Sequence, residues 1–307
     1  MSKPPIYALI TPARNEAQFI ELTIKSVVAQ IILPAKWVIV SDGSTDGTDD
    51  IVSAYAKDHS WIELLRMPER TERHFAGKVH AFNAGYLRLR DIPYDVIASL
   101  DADISFDSEY FAYLLGKLNE SPRLGLVGTP FKDGPDPIYD YRFVNVEHVS
   151  GACQVFRRQC FEAIGGYRAV KGGGIDYLAV VTARMKGWQT RTFTDKISYH
   201  HRVMGTAEHG LFQARFRYGV KDYVLGNHPL WQLFRSFYQM TKRPLFIGGA
   251  ALLSGFMWGA VTGVRRQVSP ELIDFVRREQ MDRLKRFILR TKPPIGVQYS
   301  PDSITSA

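Results

Sequence analysis

Four times in the first 120 residues a short apolar run gives way to a stretch with apolar residues at helical spacing, and this alternation constrains the fold most. "IYALIT" leads into "EAQFIELTIKSVVAQ", where Phe19, Ile20, Ile24, Val27 and Val28 fall at helical spacing. "KWVIVSD" leads into "TDDIVSAYAKDH", with Ser44 and Thr45 placed as cap residues. "IELLRM" precedes the helix "GKVHAFNAGYLRLR", and "DVIASLDAD" precedes "DSEYFAYLLGKLNE". Strands alternating with helices predict an α/β fold: a mostly parallel sheet, right-handed crossovers and flanking helices.

After "LGLVGTPF" the pattern changes. Residues 131–150 are polar, aromatic and Pro-containing, and read as an excursion over the sheet. "CQVFRR" resumes as a strand, "IDYLAVVTARMKG" as a helix, and "TRTFTD" and "KISYHH" as short strands. Gly172, Gly173 and Gly174 allow a mobile loop ahead of that helix. The expected divisions are an α/β domain over 1–205, a helical extension over 206–290 and a loosely ordered, Pro-containing tail over 291–307.

With 45% hydrophobic and 23% charged residues, the chain is neither disordered nor fibrous. Its net charge of +8 suits nucleic acid, an anionic membrane surface or phosphorylated small molecules. Nucleic acid is set aside, because the basic residues gather toward the C-terminus without a recognition motif. Cys153 and Cys160 form no C-x-x-C pair, which fits a reducing compartment without structural zinc. The N-terminal apolar stretch is too short for a signal peptide, so a cytoplasmic location is expected.

Residues 244–264 carry no charge and are bracketed by Lys242, Arg243, Arg265 and Arg266. About 20 apolar residues can span a bilayer, and Gly255, Gly259 and Gly263 repeat at the spacing that lets membrane helices approach closely. A membrane-embedded or interfacial segment is expected, with a buried helical hairpin as the alternative. Next comes a basic amphipathic helix with Leu272, Phe275, Leu284 and Ile288 on one face. It suits an anionic lipid surface at the inner face of the cell membrane, or a docked helix with a solvated face.

Ligands bind an open α/β sheet at the carboxyl ends of its strands. Here those ends read "TPARNE", "SDGSTDGT" and "DAD", which would bring Arg14, Glu16, Asp42, Asp101 and Asp103 to one crevice. Alone, "SDGSTDGT" would be a polar turn with a helix cap. Asp101 and Asp103, separated only by Ala102, repel unless a cation or hydrogen-bond donors lie between them. An acidic helix cap accounts for one of these acids and less well for two.

"TPARNE", "SDGSTDGT", "GKVHAFNAG", "SLDADI" and "GACQVFRRQCFEAIGGY", in that order across residues 6–202, resemble the family 2 glycosyltransferases of the Rossmann-like GT-A fold. The resemblance implies inverting transfer of a sugar from a nucleotide diphosphate sugar, assisted by a divalent cation, Mn²⁺ or Mg²⁺. By that resemblance Thr11, Pro12, Arg14 and Glu16 line the nucleotide pocket, and Asp42 bonds the base, expected to be uracil. Lys78 would stand near the diphosphate, with Asn83 on the same helix. Asp101 would face the ribose or the metal's outer ligands, and Asp103 would bind the metal. Either His200 or His201, beside Arg202, would complete the metal's ligands.

The family usually offers a Glu-Asp pair at the start of the helix that ends in Gly-aromatic. Counting back from Gly187 and Trp188 gives Asp176 as the base, with Ile175 in the Glu place; this departure leaves acceptor positioning open. A helix cap is the plainer role for Asp176. Processive members carry Gln-x-x-Arg-Trp. "QARFRYG" keeps Gln213 but has Phe216 in the Arg place, with Arg217 and Tyr218 one residue late. One sugar per encounter is therefore expected, onto a glycan or polyprenyl-linked acceptor. A sugar nucleotidyltransferase would show a Gly-rich phosphate loop, which "TPARNE" lacks; a non-catalytic scaffold would have lost Asp101, Asp103 or Asp176.

Overall fold

The computed structural model describes residues 4–69, 76–133, 146–170, 173–202, 210–242 and 245–289. Internal contacts divide the chain into two units, 1–204 and 205–307.

The first unit opens with β1 (Tyr7–Ala13), α1 (Ile20–Val28), β2 (Lys36–Asp42), α2 (Thr48–Asp58), β3 (Ile62–Met67), α3 (Ala76–Leu87) and β4 (Val96–Leu100). It continues with β5 (Ile104–Ser105), α4 (Tyr110–Glu120), β6 (Leu124–Gly128), β7 (Phe131–Asp133), β8 (Cys153–Arg157), α5 (Arg158–Ala163), α6 (Ile175–Met185), β9 (Gln189–Thr192) and β10 (Ser198–His200). The main sheet runs β3-β2-β1-β4-β8-β6-β9. β8 lies antiparallel to both neighbours and the other pairs are parallel. Alternate residues of β1 feed opposite faces: Tyr7 and Leu9 pack toward α1 and α4, while Ala8 and Ile10 pack toward α3 and α6. A strand buried on both sides reads as a continuous apolar run.

The strand order reverses at β1, since β2 and β3 lie to one side and β4 to the other. A crevice opens at such a switch point, at the strands' carboxyl ends. A second small sheet, β5-β10-β7, borders it. Cys153 and Cys160 are buried and unbridged, and burial pushes both thiols up to about 12.

Two local expectations are corrected. α1 starts only at Ile20, because the chain first turns through Asn15 at φ 55°. α2 starts at Thr48 behind Gly47 (φ 90°), and the Thr48 amide donates to the Asp46 carboxylate; neither Ser44 nor Thr45 caps this helix. Ser44 instead accepts from the Asn15 amide.

In the second unit α7 (Leu211–Val224), α8 (Pro229–Met240), α9 (Ile247–Val261) and α10 (Pro270–Leu289) follow one another. Of the membrane-embedded or interfacial segment expected over 244–264, a span is not formed: α9 has 15 residues, and no described helix is long and apolar enough to cross a membrane. Its glycines serve helix packing. A Cβ on Gly255 would fall 2.0 Å from the Phe216 carbonyl oxygen, and one on Gly219 would fall 2.0 Å from that of Leu252. The backbones of α7 and α9 therefore touch. α10 buries Leu272 of the expected apolar face together with Ile273 and Val276, half-buries Phe275 and Leu284, and leaves Ile288 exposed. The tail over 291–307 lies outside the described residues.

Candidate active site

A cavity of about 250 Å³ opens at the carboxyl ends of β1, β2 and β4. Pro12 reaches it from β1, Arg14 and Glu16 from the loop after β1, Asp42 from β2, Lys78 from α3, and Asp101 and Asp103 from the segment after β4. Ala13, Gly77, Ala81 and Ala102 also line it; small apolar residues carry no chemical signal in a sequence. Thr11 does not reach the cavity. It is fully buried, and its hydroxyl accepts the Trp37 indole N–H at 3.0 Å. Asn83 is exposed on α3 and is not part of the lining.

Side chains tie the loops after β1 and β2 together. The Thr45 amide donates to Asn15 Oδ1 at 2.9 Å, the Glu16 amide to Thr48 Oγ1 at 2.8 Å, and the Ala17 amide to Asp46 Oδ2 at 3.0 Å. The Ser, Thr and Asp residues of "SDGSTDGT" thus fix the backbone that carries Arg14 and Glu16. Asp42 itself faces the cavity.

Two charged clusters meet there. In the first, the Lys78 ammonium donates to Asp101 Oδ1. Burial opposes the charge on Lys78, but Asp101, then Asp176 and Asp103, outweigh it and raise the ammonium pKa. Burial raises the Asp101 carboxyl, Lys78 opposes that rise, and Asp103 adds to it. In the second, Asp103 Oδ2 lies 3.3 Å from both His200 Nε2 and Arg202 Nε. Burial works against the Asp103 charge, yet these two partners hold its pKa below the usual carboxylate value. Arg202 also pairs with Glu16. Burial, with help from Asp103, pushes the Glu16 carboxyl up to about 6 despite that pairing.

The antiparallel register of β10 on β5, with His200 opposite Ile104, distinguishes the two histidines. His200 is turned to Asp103. His201 Nε2 lies 2.8 Å from Ser105 Oγ, and its ring stacks on Phe19 with centroids 6.5 Å apart. Arg202, marked in the sequence only as their neighbour, bridges both acidic loop ends.

Asp176 sits in the first turn of α6, behind Gly174 at φ 96°, and is half-buried. A Cβ on Gly151 would meet Asp176 Cβ at 3.0 Å and Oδ2 at 3.2 Å. Asp176 is not in the cavity lining, but it acts electrostatically on Lys78 and Asp101. Of the excursion over 131–150 and the glycine-rich loop ahead of α6, residues 134–145 and 171–172 lie outside the described residues.

Residues 8–165 match the family model described as glycosyl transferase family 2. The poly-beta-1,6-N-acetyl-D-glucosamine synthase of Staphylococcus epidermidis is 28% identical over 121 residues, which are 38% of this chain and 26% of that protein. That of Staphylococcus aureus (strain COL) is 29% identical over 117 residues, with the same two shares. The chain thus matches about a quarter of the length of these curated relatives. Among solved structures, the mannosyltransferase PcManGT from Pyrobaculum calidifontis, in complex with GDP-Man and Mn²⁺, aligns with a TM-score of 0.57 at 18% identity, over 95% of this chain and 89% of that one. S. aureus TarS 1-349 aligns with a TM-score of 0.55 at 13% identity, over 90% and 82%. These likenesses establish the GT-A fold, and the family match, which spans more than half of the sequence, shows that the chain belongs to glycosyl transferase family 2.

Proposed function

We propose that the chain transfers one sugar per encounter, with inversion, from a nucleotide diphosphate sugar, in the first instance a UDP-sugar. The acceptor is a glycan or a polyprenyl-linked oligosaccharide at the anionic inner face of the cell membrane, in cell-surface or exopolysaccharide synthesis. The pairing of Asp103 with His200 beside a cavity that also holds the Lys78–Asp101 pair carries this reading. Structural neighbours bound to GDP-Man with Mn²⁺ and to UDP-GlcNAc support a nucleotide-sugar donor.

The donor set fits a divalent cation. A carboxylate oxygen and an imidazole nitrogen suit Mn²⁺, and the carboxylate also suits Mg²⁺. Among the described residues no three His, Cys, Asp or Glu side chains stand together as a metal group, so donor diphosphate oxygens would complete the ligands. A cation bound there offsets the charge developing on the leaving diphosphate.

The chain's own side chains perform the rest. Lys78 is kept charged by Asp101 and is available to a phosphate oxygen at the cavity wall. Arg202 can exchange one of its carboxylate partners for the diphosphate. Asp176 takes the acceptor hydroxyl proton, and Gly151 leaves the space that its carboxylate needs.

Donor hydrolysis tests this directly. Purified chain with Mn²⁺ and a panel of UDP-, GDP- and dTDP-sugars should release one nucleotide diphosphate, and Asp103→Ala should abolish the release. Absence of both turnover and Mn²⁺-dependent nucleotide binding by calorimetry would overturn the proposal in favour of a non-catalytic scaffold. Release of inorganic diphosphate from a nucleoside triphosphate and a sugar phosphate would replace it with a nucleotidyltransferase.

A further inference from the structure

Helix α8 is inside out. Gln232 and Ser236, one turn apart, are 0% exposed, and their side chains have no hydrogen-bond partner among the described residues. On the other side Leu230, Leu233 and Phe237 lie open, Phe237 at 58%. A helix at a protein–water surface turns its apolar stripe inward and its polar residues outward. Here the arrangement is reversed, so the medium expected against α8 is not water.

The apolar surface extends beyond α8. The Phe246 amide donates to the Met240 carbonyl, which holds the next turn against the end of α8. Phe246 sits at φ 63°, a strained backbone for a bulky residue, and its ring is 70% exposed. From α10, Phe287 packs edge-on against Phe234 with centroids 5.0 Å apart, and Ile288 and Leu289 beyond it are exposed.

The same unit carries the charge. Residues 205–307 hold 15 Lys and Arg against 7 Asp and Glu, so the whole +8 of the chain falls there. Lys242, Arg278 and Lys285 are exposed on the helices or turns that bear the apolar surface. An apolar face alone would fit a second copy or another protein. An apolar face in the unit that carries all the excess positive charge fits an anionic lipid surface, which takes both.

We propose that the second unit seats on an anionic leaflet through the outer face of α8, the Leu245–Ile247 turn and the end of α10, lying in the headgroup boundary and not crossing it. The inference rests on the membrane-surface part of the proposed function and names the face that docks.

The full chain is floated with vesicles of phosphatidylcholine alone and of phosphatidylcholine mixed with phosphatidylglycerol. Partition into the mixed vesicles should be at least about tenfold stronger and should fall with added salt. Leu233→Glu combined with Phe237→Glu should lower it about tenfold or more. In the wild-type protein, lipids brominated on the acyl chain should quench tryptophan fluorescence, a readout that needs no variant. Equal binding to neutral and anionic vesicles, no binding to either, or wild-type binding by the double variant would each overturn the proposal. So would a solution dimer that the double variant dissociates while vesicles stay empty, which would assign the face to a second copy. Calorimetry with Mn²⁺ and nucleotide on the same samples separates the two readings. Retained nucleotide binding without vesicle binding fails the docking surface only, and the converse fails the transferase only.

Discussion

His200 Nε2 stands 3.3 Å from Asp103 Oδ2, and the pairing of β10 with β5 puts it there. Its neighbour His201 points to Ser105 instead. Asp103→Ala should therefore weaken Mn²⁺-dependent nucleotide binding by about 100-fold or more, His200→Ala by roughly 10- to 100-fold, and His201→Ala hardly at all. Isothermal titration of each variant with Mn²⁺ and nucleotide checks the order. A larger loss for His201 than for His200 would contradict it.

Asp176 stands apart from the cavity lining, yet its charge is felt at Lys78 and Asp101. Asp176→Asn keeps the size of the side chain and removes the proposed base. Transfer to acceptor should fall by about 10² to 10⁴ in kcat, while the nucleotide Kd stays unchanged. Comparable losses in both would make Asp176 a donor-binding residue.

Glu16 gives the metal-free protein a pH signature. Its carboxyl is pushed up to about 6 in the folded state, from 4.5, by burial first and Asp103 second. A raised folded pKa means that the folded protein holds the proton more tightly. The stability this contributes is complete below about pH 4.5 and is lost as pH rises through about 6, a change of about 2 kcal/mol. Unfolding free energies from urea titrations of wild type and Glu16→Gln should run together below about pH 4.5 and separate by about 2 kcal/mol above about pH 6, with the wild type losing stability relative to the variant. Parallel curves would show that Glu16 does not titrate as described.

The touching backbones of α7 and α9 leave no room at Gly255. Gly255→Val should destabilise the second unit by about 3 kcal/mol or more, because a backbone carbonyl has to move. Gly116 lies within α4 with nothing within 4 Å of an added Cβ, and Gly116→Ala should stabilise by about 0.5 to 1 kcal/mol. Thermal scans of the two variants should shift in opposite directions.

Much of the first unit is legible in the sequence, because its strands and helices announce themselves by local period. "IELLRM" is β3 residue for residue. The convergence of Arg14, Glu16, Asp42, Lys78, Asp101 and Asp103 follows from strand ends meeting at one edge. What was not legible depends on partners far away in the chain. Nothing local in "CQVFRR" says that it runs antiparallel between β4 and β6. Nothing in "SYHH" says which histidine meets Asp103, because that follows from a pairing with Ile104 and Ser105. Thr11 looks like a pocket residue until the Trp37 indole claims its hydroxyl. The glycines of α9 say that another helix comes close but not which one, and only the position of Phe216 identifies it as α7.

The small sheet also sets an order of events. β1 to β4 and the three helices between them come from the first 100 residues and can pair as soon as they are made, whereas the strand that carries His200 is the last described one of the first unit. At roughly 5 to 20 residues per second, Asp103 leaves the ribosome about 5 to 20 seconds before its imidazole partner. During that interval the nascent domain has its acidic edge without the histidine or arginine that later hold it, and the loop between β5 and β10 has still to close. In the proposed reading, competence to bind a cation would come only with the end of the first unit, after its first four strands have been made.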